Sequence, residues 1–164
     1  MANNQSIKCA IFDIEGCLAN NQHRENLLPA KNLTGPAATH AWDKYYSGVT
    51  DDAMYRNVVM FCNSLVAKGL AVLLFTGIPR KFTKIVTNWL ADNSVAYSKL
   101  LMRHNDDIRS NAEVKFDMLQ TMQQQHYQPV LAVDDMPDVL DMFNKQNIRC
   151  FLATKGKLTP YSED

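Results

Sequence analysis

The sequence predicts an α/β fold in which a doubly wound, Rossmann-like parallel sheet carries a small insert. Short apolar runs of strand length alternate along the chain with amphipathic stretches of helix length, and the connections between them are short. The chain has 164 residues, which suits a single domain. We therefore expect one domain over residues 1–154, an insert at about residues 19–50, and a loose C-terminal tail at residues 155–164.

Five apolar runs are the predicted strands. They are Ile7–Phe12, Leu70–Phe75, Leu100–Met102, Val130–Val133 and Ile148–Leu152. Apolar residues at helical spacing separate these runs and predict helices that contain Met54–Leu65, Phe82–Leu90, Val114–Met122 and Val139–Phe143. A capping box at Ser110 and Glu113 begins the third of these helices, and we expect a short helix near Ala38–Tyr46 within the insert.

Charge and apolar pattern exclude several classes of protein. Lys plus Arg and Asp plus Glu each number 17, so the formal net charge is zero. Nucleic-acid binding by bulk charge is therefore excluded, although a local basic patch is not. No apolar run approaches the ~18 residues of a membrane span, and no secretion signal is visible. The four cysteines lack C-x-x-C spacing, which argues against a zinc site. We expect a cytoplasmic protein without a membrane partner, and the oligomeric state stays open.

Polar side chains directly follow three of the predicted strands. Asp13 and Glu15 follow the first strand, Thr76-Gly77 the second, and Asp134-Asp135 the fourth. Ligands of open parallel sheets bind beyond the carboxyl ends of the strands, so we expect these groups to converge on one pocket. Lys115 adds a cation near the start of the helix that the capping box begins.

These residue types predict a specific chemistry. Two or three carboxylates with an open edge suit Mg²⁺, which prefers oxygen ligands. Together with Lys115, Thr76 and loop amides, Mg²⁺ would neutralise a phosphate group. Asp13 would then attack phosphorus and form an aspartyl-phosphate. Glu15, which points the same way as Asp13 if the strand alternation continues, would protonate the leaving oxygen and later activate water.

Each motif also has a purely structural interpretation when it is taken alone. D-x-E and Thr-Gly are ordinary residues where a strand ends, Asp134-Asp135 before Pro137 is an ordinary helix cap, and Lys115 is an ordinary solvated lysine. Their occurrence in order at one edge of one sheet is what favours a shared site.

The motifs FDIEGCL, LLFTG, Lys115 and VLAVDD resemble, in this order, the four motifs of the haloacid dehalogenase-like phosphatases. Other positions resemble small phage and bacterial members of that superfamily, a branch similar to the phosphatase domain of phage polynucleotide kinase-phosphatase. These positions are Arg24, Trp42, Asp51-Asp52, and residues 87–90, 101–103 and 107–109. The resemblance covers roughly residues 7–153. The chain contains no G-x-x-x-x-G-K-[ST] motif of a kinase.

The resemblance implies catalytic and metal-binding roles. Asp13 matches the nucleophile and a metal ligand, and Lys115 matches the lysine that holds nucleophile and phosphate together. Glu15 stands at the position of the general acid/base, and its backbone carbonyl matches a metal ligand. Asp134 matches another metal ligand, and Asp135 matches a carboxylate that supports the metal or its water. The implied cofactor is Mg²⁺.

The resemblance also implies how substrate is bound. Thr76 and Gly77 match the phosphate-binding motif, and Arg103 and Arg109 match a basic pair near the substrate phosphate. The insert is too short for a large cap, so an open site would accept a small phosphate ester, a nucleotide or the end of a nucleic-acid strand. The aromatic residues Trp42, Tyr45 and Tyr46 would either stack on a base or pack the insert onto the sheet.

Three positions depart from the family pattern. Residue 15 is Glu instead of Asp, residue 17 is Cys instead of Thr, and residue 78 is Ile where Arg is frequent, which leaves Arg80 as a substitute. We expect a Mg²⁺-dependent phosphomonoester hydrolase that acts on nucleotides or polynucleotide 3′-phosphate ends. The alternative is a catalytically impaired relative that binds a phosphorylated ligand or a protein partner. A phosphotransferase is less favoured, because no sequence feature indicates that water is excluded.

Overall fold

The computed structural model describes residues 6–162, in which helices cover both faces of a mainly parallel sheet. The strands are β1 (Ile7–Phe12), β2 (Ala19–Asn20), β3 (Ala53–Met54), β4 (Ala71–Pro79), β5 (Lys99–Arg103), β6 (Tyr127–Asp134), β7 (Arg149–Thr154) and β8 (Lys157–Tyr161). The α-helices are α1 (Gly35–Ser47), α2 (Arg56–Ala67), α3 (Thr83–Asp92), α4 (Asn111–Gln124) and α5 (Pro137–Lys145). Short 3₁₀ turns span Gln22–Leu27, Gly48–Asp51 and Arg80–Phe82. None of the helices in the described range is long and apolar enough to cross a membrane.

The main sheet has the strand order β5-β4-β1-β6-β7-β8, in which all neighbours except β7 and β8 pair in parallel. The chain builds the sheet outward from β1 in one direction and then restarts with β6 on the other side. Phe12 pairs with Val133 of β6, so β1 and β6 end at nearly the same level, whereas β4 pairs with Phe12 at Leu74 and continues to Pro79. The predicted doubly wound α/β fold is confirmed, and the switch in strand order falls at the end of β1, where ligands bind in such sheets.

Successive side chains of β1 point to opposite faces of the sheet, so this strand contributes to the core on both faces. Ala10 and Phe12 pack into a cluster that includes buried residues of α2 and α3. Cys9 and Ile11 pack into a second cluster with α4 and α5. Burial on both faces explains why the strands appear in the sequence as continuous apolar runs. The cysteines predicted for the core are buried thiols.

Several element boundaries differ from the expected ones. The second predicted strand does not end at Phe75, because β4 continues through Thr76-Gly77 to Pro79 with an irregular register. Met54 fits the apolar face of the expected helix, but it pairs with Ala19 in the β2–β3 ribbon, so α2 begins only at Arg56. The helix of the insert is longer than expected, because Pro36 suits the first turn and α1 already begins at Gly35.

The tail that we expected to be loose is ordered over Lys157–Tyr161, so that prediction is wrong. These residues form β8, which pairs antiparallel with β7. Lys155 and Gly156 make the tight connection, both with positive φ, at 48° and 78°. Tyr161 Oη then donates a hydrogen bond to Asp141 Oδ1 at 2.8 Å. Residues 163 and 164 of the expected tail lie outside the described range.

Candidate active site

A buried lysine lies between two buried carboxylates at the edge of the sheet where β1 and β6 end. Lys115 Nζ donates hydrogen bonds to Asp13 Oδ1 at 2.7 Å and to Asp134 Oδ2 at 2.6 Å. Asp13 follows β1, Asp134 ends β6, and α4 supplies Lys115. Each of the three residues is 4% exposed or less. The structure therefore brings together these three sequence-predicted residues.

Burial determines the electrostatics of this cluster. Removal of the Asp13 carboxylate from water raises its pKa well above the usual range, and the charge of Lys115 opposes this shift only in part. Burial by itself lowers the pKa of Lys115, but the charges of Asp13 and Asp134 outweigh it, so the pKa is raised. Lys115 is consequently charged at neutral pH and holds one oxygen of each carboxylate.

Asp135 completes a group of three carboxylates that fits a divalent cation. Asp13, Asp134 and Asp135 each offer a carboxylate oxygen, and these oxygens lie within 4.8 Å of one another. Burial raises the pKa of Asp135 to about 7, and the charge of Asp134 adds to the shift. The donors are hard oxygen atoms, and one lysine charge does not neutralise three carboxylates. A bound divalent ion would complete the charge balance of the cluster.

A glycine allows Asp135 to approach the turn after β1. A Cβ atom at Gly16 would lie 2.1 Å from Asp135 Oδ2. Gly16 also has a φ of +73°, which side chains rarely adopt. A side chain at Gly16 would both clash with Asp135 and strain the backbone, so the D-x-E-G sequence requires its glycine.

Glu15 does not lie on a continuation of β1, so the condition under which strand alternation would point it the same way as Asp13 is not met. The chain turns at the end of β1, where the amides of Leu18 and Ala19 both donate to the Ile14 carbonyl. Glu15 is positioned by an ion pair instead, because Arg24 Nη2 donates to its Oε1 at 2.8 Å. Burial raises the pKa of Glu15, and the charge of Arg24 opposes that shift.

Arg24 is the centre of a buried network that links Glu15 to the insert. Its Nε and Nη2 donate to the two carboxylate oxygens of Asp52 at 2.8 and 2.7 Å. The two side chains are 1% and 0% exposed. The Tyr45 ring centroid lies 4.2 Å from the guanidinium carbon, and Trp89 Nε1 donates to the Asp52 carbonyl at 2.7 Å. The position of Glu15 thus depends on packing inside the insert.

We expect Arg24→Lys to lower kcat/KM for a phosphomonoester by roughly 10- to 100-fold, because small displacements of a catalytic group are costly. Lysine keeps the positive charge but loses the planar fork that reaches Glu15 and Asp52 together. Steady-state kinetics on the folded variant measure this effect, with Arg56→Lys at an exposed position as the matched control. Equal kcat/KM for both variants would show that Glu15 does not depend on Arg24.

The predicted phosphate-binding pair lies within β4, where the pairing with β5 is irregular between Thr76 and Pro79; we call this irregular segment the Gly77 turn. Thr76 is fully buried, and its Oγ1 accepts a hydrogen bond from the Ile78 amide at 3.1 Å. A Cβ atom at Gly77 would lie 2.3 Å from Asn111 Oδ1. Arg103 Nε donates to the Gly77 carbonyl at 2.9 Å, and its Nη2 donates to Asn111 Oδ1 at 2.6 Å. Arg103 and Asn111 therefore fix the backbone of this motif.

Arg109 has different surroundings from Arg103. Its side chain is 47% exposed and donates to Asp107 at 2.7 Å and to Asp117 at 2.8 Å. Its contacts within residues 6–162 do not include the carboxylates around Lys115. Arg80, expected as a substitute for an arginine at position 78, lines a surface cavity with Asp107 and Asp117. The cation that contacts the turn after Thr76 is Arg103.

The family model of the polynucleotide kinase PNKP phosphatase domain matches residues 7–158 of this chain. The chain belongs to this family. The match confirms the resemblance to the haloacid dehalogenase-like phosphatases that the ordered motifs indicated. No curated protein matches the chain in sequence.

Solved structures share the fold of this PNKP phosphatase family member. A chain of the Pnkp1/Rnl/Hen1 RNA repair complex superposes with a TM-score of 0.71 at 23% identity, over 91% of this chain and 43% of that chain. A haloacid dehalogenase-like hydrolase from Streptococcus pneumoniae gives 0.62 at 14% identity, over 88% and 83%. The class C acid phosphatase from Bacillus anthracis gives 0.60 at 11% identity, over 82% and 54%. The chain thus spans less than half of the RNA repair protein that it matches.

Sequence reasoning does not identify Asn111 in this PNKP-type site, and it marks Asp52 only through the resemblance. Asn111 follows the N-cap Ser110 and begins α4, so in the sequence it is one polar residue among several near a helix start. Asp52 lies 28 residues from Arg24, and no local spacing predicts that the two pair. A buried arginine with a buried carboxylate is visible only in the folded chain.

Proposed function

We propose that this PNKP-type domain is a Mg²⁺-dependent phosphomonoesterase that works through an aspartyl-phosphate on Asp13. The observation that carries the proposal is the contact between Lys115 Nζ and Asp13 Oδ1 beside two further carboxylates. Lys115 binds one oxygen of the nucleophile, and Asp13 Oδ2 has no hydrogen bond among the described residues. The second oxygen is therefore available for attack on phosphorus.

Asp13 and Glu15 divide the chemistry between two steps. First, an Asp13 oxygen bonds to phosphorus as the ester P–O bond breaks, and Glu15 gives its proton to the leaving oxygen. Next, Glu15 takes a proton from water, the water oxygen bonds to phosphorus, and the bond to Asp13 breaks. Phosphate leaves and both side chains return to their starting states. The ion pair of Arg24 with Oε1 supports this role, because it fixes the longer glutamate side chain and leaves Oε2 for the proton.

The other site residues bind and orient the phosphate. Thr76, the Gly77 backbone and Lys115 would contact its oxygens, and Lys115 would partly neutralise its charge. Asp13, Asp134 and Asp135 would hold Mg²⁺ together with the Glu15 backbone carbonyl. When bound, the ion neutralises charge on the phosphate and on the carboxylates.

The substrates that we propose are nucleotides or the 3′-phosphate ends of polynucleotides. The family relationship and the similarity to a chain of an RNA repair complex support a nucleic-acid end. Arg103 supplies positive charge at the Gly77 turn, as a phosphate-binding residue would, and Arg109 lines the neighbouring cavity while paired with Asp107 and Asp117. A cytoplasmic location, expected from the sequence, fits either substrate.

The test is phosphate release from an aryl phosphate, nucleoside monophosphates and 3′-phosphorylated oligonucleotides, each with Mg²⁺ and with a chelator. We expect release that needs the metal ion, with higher kcat/KM for the substrates that contain nucleosides. Release that persists unchanged in chelator after removal of metal would contradict the metal-dependent mechanism.

A binding protein without turnover is the second candidate, favoured by the engagement of Glu15 in an ion pair with Arg24. An acid held too firmly by a permanent cation is a poor proton donor. The variant Glu15→Asp separates the two candidates. Release by the variant but not by the native protein supports the binding function, whereas release by the native protein supports the enzyme.

A further inference from the structure

A cavity of about 670 Å³ opens beside the Gly77 turn and is formed in part by the insert. Its walls come from the insert, from the chain after β4, and from the loop between β5 and α4. Its volume is in the range of small-molecule sites. The phosphate of the proposed reaction lies at the Asp13 cluster, so the reaction itself assigns no ligand to this cavity.

Two side chains connect the cavity to the Gly77 turn. Arg103 and Asn111 line the cavity, and the same two side chains contact Gly77. Tyr46 also lines it and packs on Tyr45, whose ring lies against Arg24, the partner of Glu15. A group bound in the cavity would therefore lie beside a phosphate at the Thr76-Gly77 motif.

Trp42 gives the cavity an aromatic wall. It stacks on Tyr46 with ring centroids 5.5 Å apart and an angle of 19° between the rings, and Tyr46 packs on Phe82. Tyr45 is only 4% exposed and already packs the insert onto the protein, whereas Trp42 keeps 39% of its surface exposed. Packing of the insert thus does not account for the exposed part of Trp42.

The remaining lining suits a flat ring attached to an anion. Ile108, which is 97% exposed, also lines the cavity. Three cations, Lys81, Arg103 and Arg109, outnumber the two lining carboxylates, Asp43 and Asp107. Lys81 pairs with Asp43, and Arg109 with Asp107. Arg103 contacts carbonyl and amide oxygens, so its charge remains unneutralised among the described contacts.

We propose that this cavity binds the base of the nucleotide that carries the phosphate, and that Trp42 is the residue on which the base stacks. The inference rests on the proposed phosphatase function and gives its substrate class: a terminal nucleotide, recognised through its base without sequence preference. Every base offers a flat ring, so stacking tolerates any sequence. Trp42 therefore determines the preference for a phosphorylated end that carries a base.

The first experiment compares two short 3′-phosphorylated single-stranded DNAs that differ only in whether the terminal sugar carries a base. The native protein is expected to favour the base-bearing DNA by about tenfold or more in kcat/KM, in line with the stacking contribution of one base. Trp42→Leu should lose this preference and hydrolyse the abasic DNA as the native protein does. Trp42→Phe, which keeps a ring, should retain most of it. Tyr97→Leu, at a residue of similar exposure outside the cavity, is the matched control.

The second experiment measures binding without turnover. The chain has two tryptophans, and Trp89 is only 3% exposed, so quenching by a stacked base reports on Trp42. In an Asp13→Asn background, the base-bearing DNA should quench the fluorescence and the abasic DNA should not, and Trp42→Leu should remove the quenching. Quenching without hydrolysis by the native protein would reject the phosphatase and keep the base site. Hydrolysis of both DNAs at equal kcat/KM, or equal quenching by both, would overturn the base site and leave the phosphatase standing.

Discussion

Asp13→Asn is expected to reduce phosphate release by about 10⁴-fold or more, because an amide does not form the covalent intermediate. Asparagine has nearly the same shape, and its amide oxygen still accepts a hydrogen bond from Lys115 Nζ. The loss is therefore one of chemistry and not of packing. Initial rates with Mg²⁺ measure it, and Asp92→Asn, which removes an exposed carboxylate on α3, is the control.

The same substitution is expected to leave the metal-free protein as stable as the native protein or more stable. The pKa of Asp13 is raised in the folded state, mainly by burial. A carboxyl group whose pKa is higher in the folded state than in the unfolded state stabilises the fold at pH values below its unfolded pKa. This stabilisation is lost as the pH rises through the folded pKa. The ionised form of Asp13 therefore opposes folding in the absence of metal, and asparagine removes that charge.

Thermal unfolding in chelator and in Mg²⁺ tests this second effect. The native protein should gain stability with Mg²⁺, by about 2.7 kcal/mol when the ion is present at 100 times its Kd. Asp13→Asn should gain clearly less, because one ligand is missing. Phosphate release by Asp13→Asn at the native rate would refute the covalent mechanism. Unfolding of Asp13→Asn in chelator, under conditions where the native protein stays folded, would refute the claim that the buried charge of Asp13 opposes folding.

The sheet and its functional edge follow from the sequence for one physical reason. Strands covered on both faces must be apolar throughout, so their ends are marked by the first polar residue. Asp13 and Asp134 are such residues, and the equal level at which β1 and β6 end makes them neighbours. Lys115 is 102 residues from Asp13, yet its place on α4 follows from the capping box and the order of the elements.

Other features depend on contacts that leave no local pattern. β8 follows Lys155-Gly156, which is not among the strong hairpin signals, and its polar residues did not indicate a strand. The position of Glu15 is determined by Arg24 of the insert, since the end of β1 removes the strand alternation on which a prediction would rest. The exposure of Trp42 likewise depends on the packing of Tyr45 and Tyr46 beneath it.

Lys115→Met is expected to destabilise the metal-free protein by about 3–5 kcal/mol at neutral pH, the usual cost of breaking a buried ion pair by removing one partner. Methionine fills much of the same volume, but Asp13 and Asp134 lose the hydrogen bonds at 2.7 and 2.6 Å that satisfy them. Turnover should fall by roughly 10²–10³-fold as well, because a cation that meets the phosphate is gone. Lys84→Met, at an exposed position of α3, should change neither quantity.

The pH and metal dependence of Lys115→Met separates loss of charge from loss of packing. Without the lysine, the pKa of Asp13 in the folded state rises further, because its largest attractive partner is absent. Stability should therefore recover as the pH falls and Asp13 takes up a proton, and it should also recover when Mg²⁺ replaces the missing charge. Urea unfolding at several pH values, with Mg²⁺ and with chelator, measures both recoveries. If the variant stays equally destabilised under all these conditions, the role of Lys115 is packing, and the cluster does not depend on its charge.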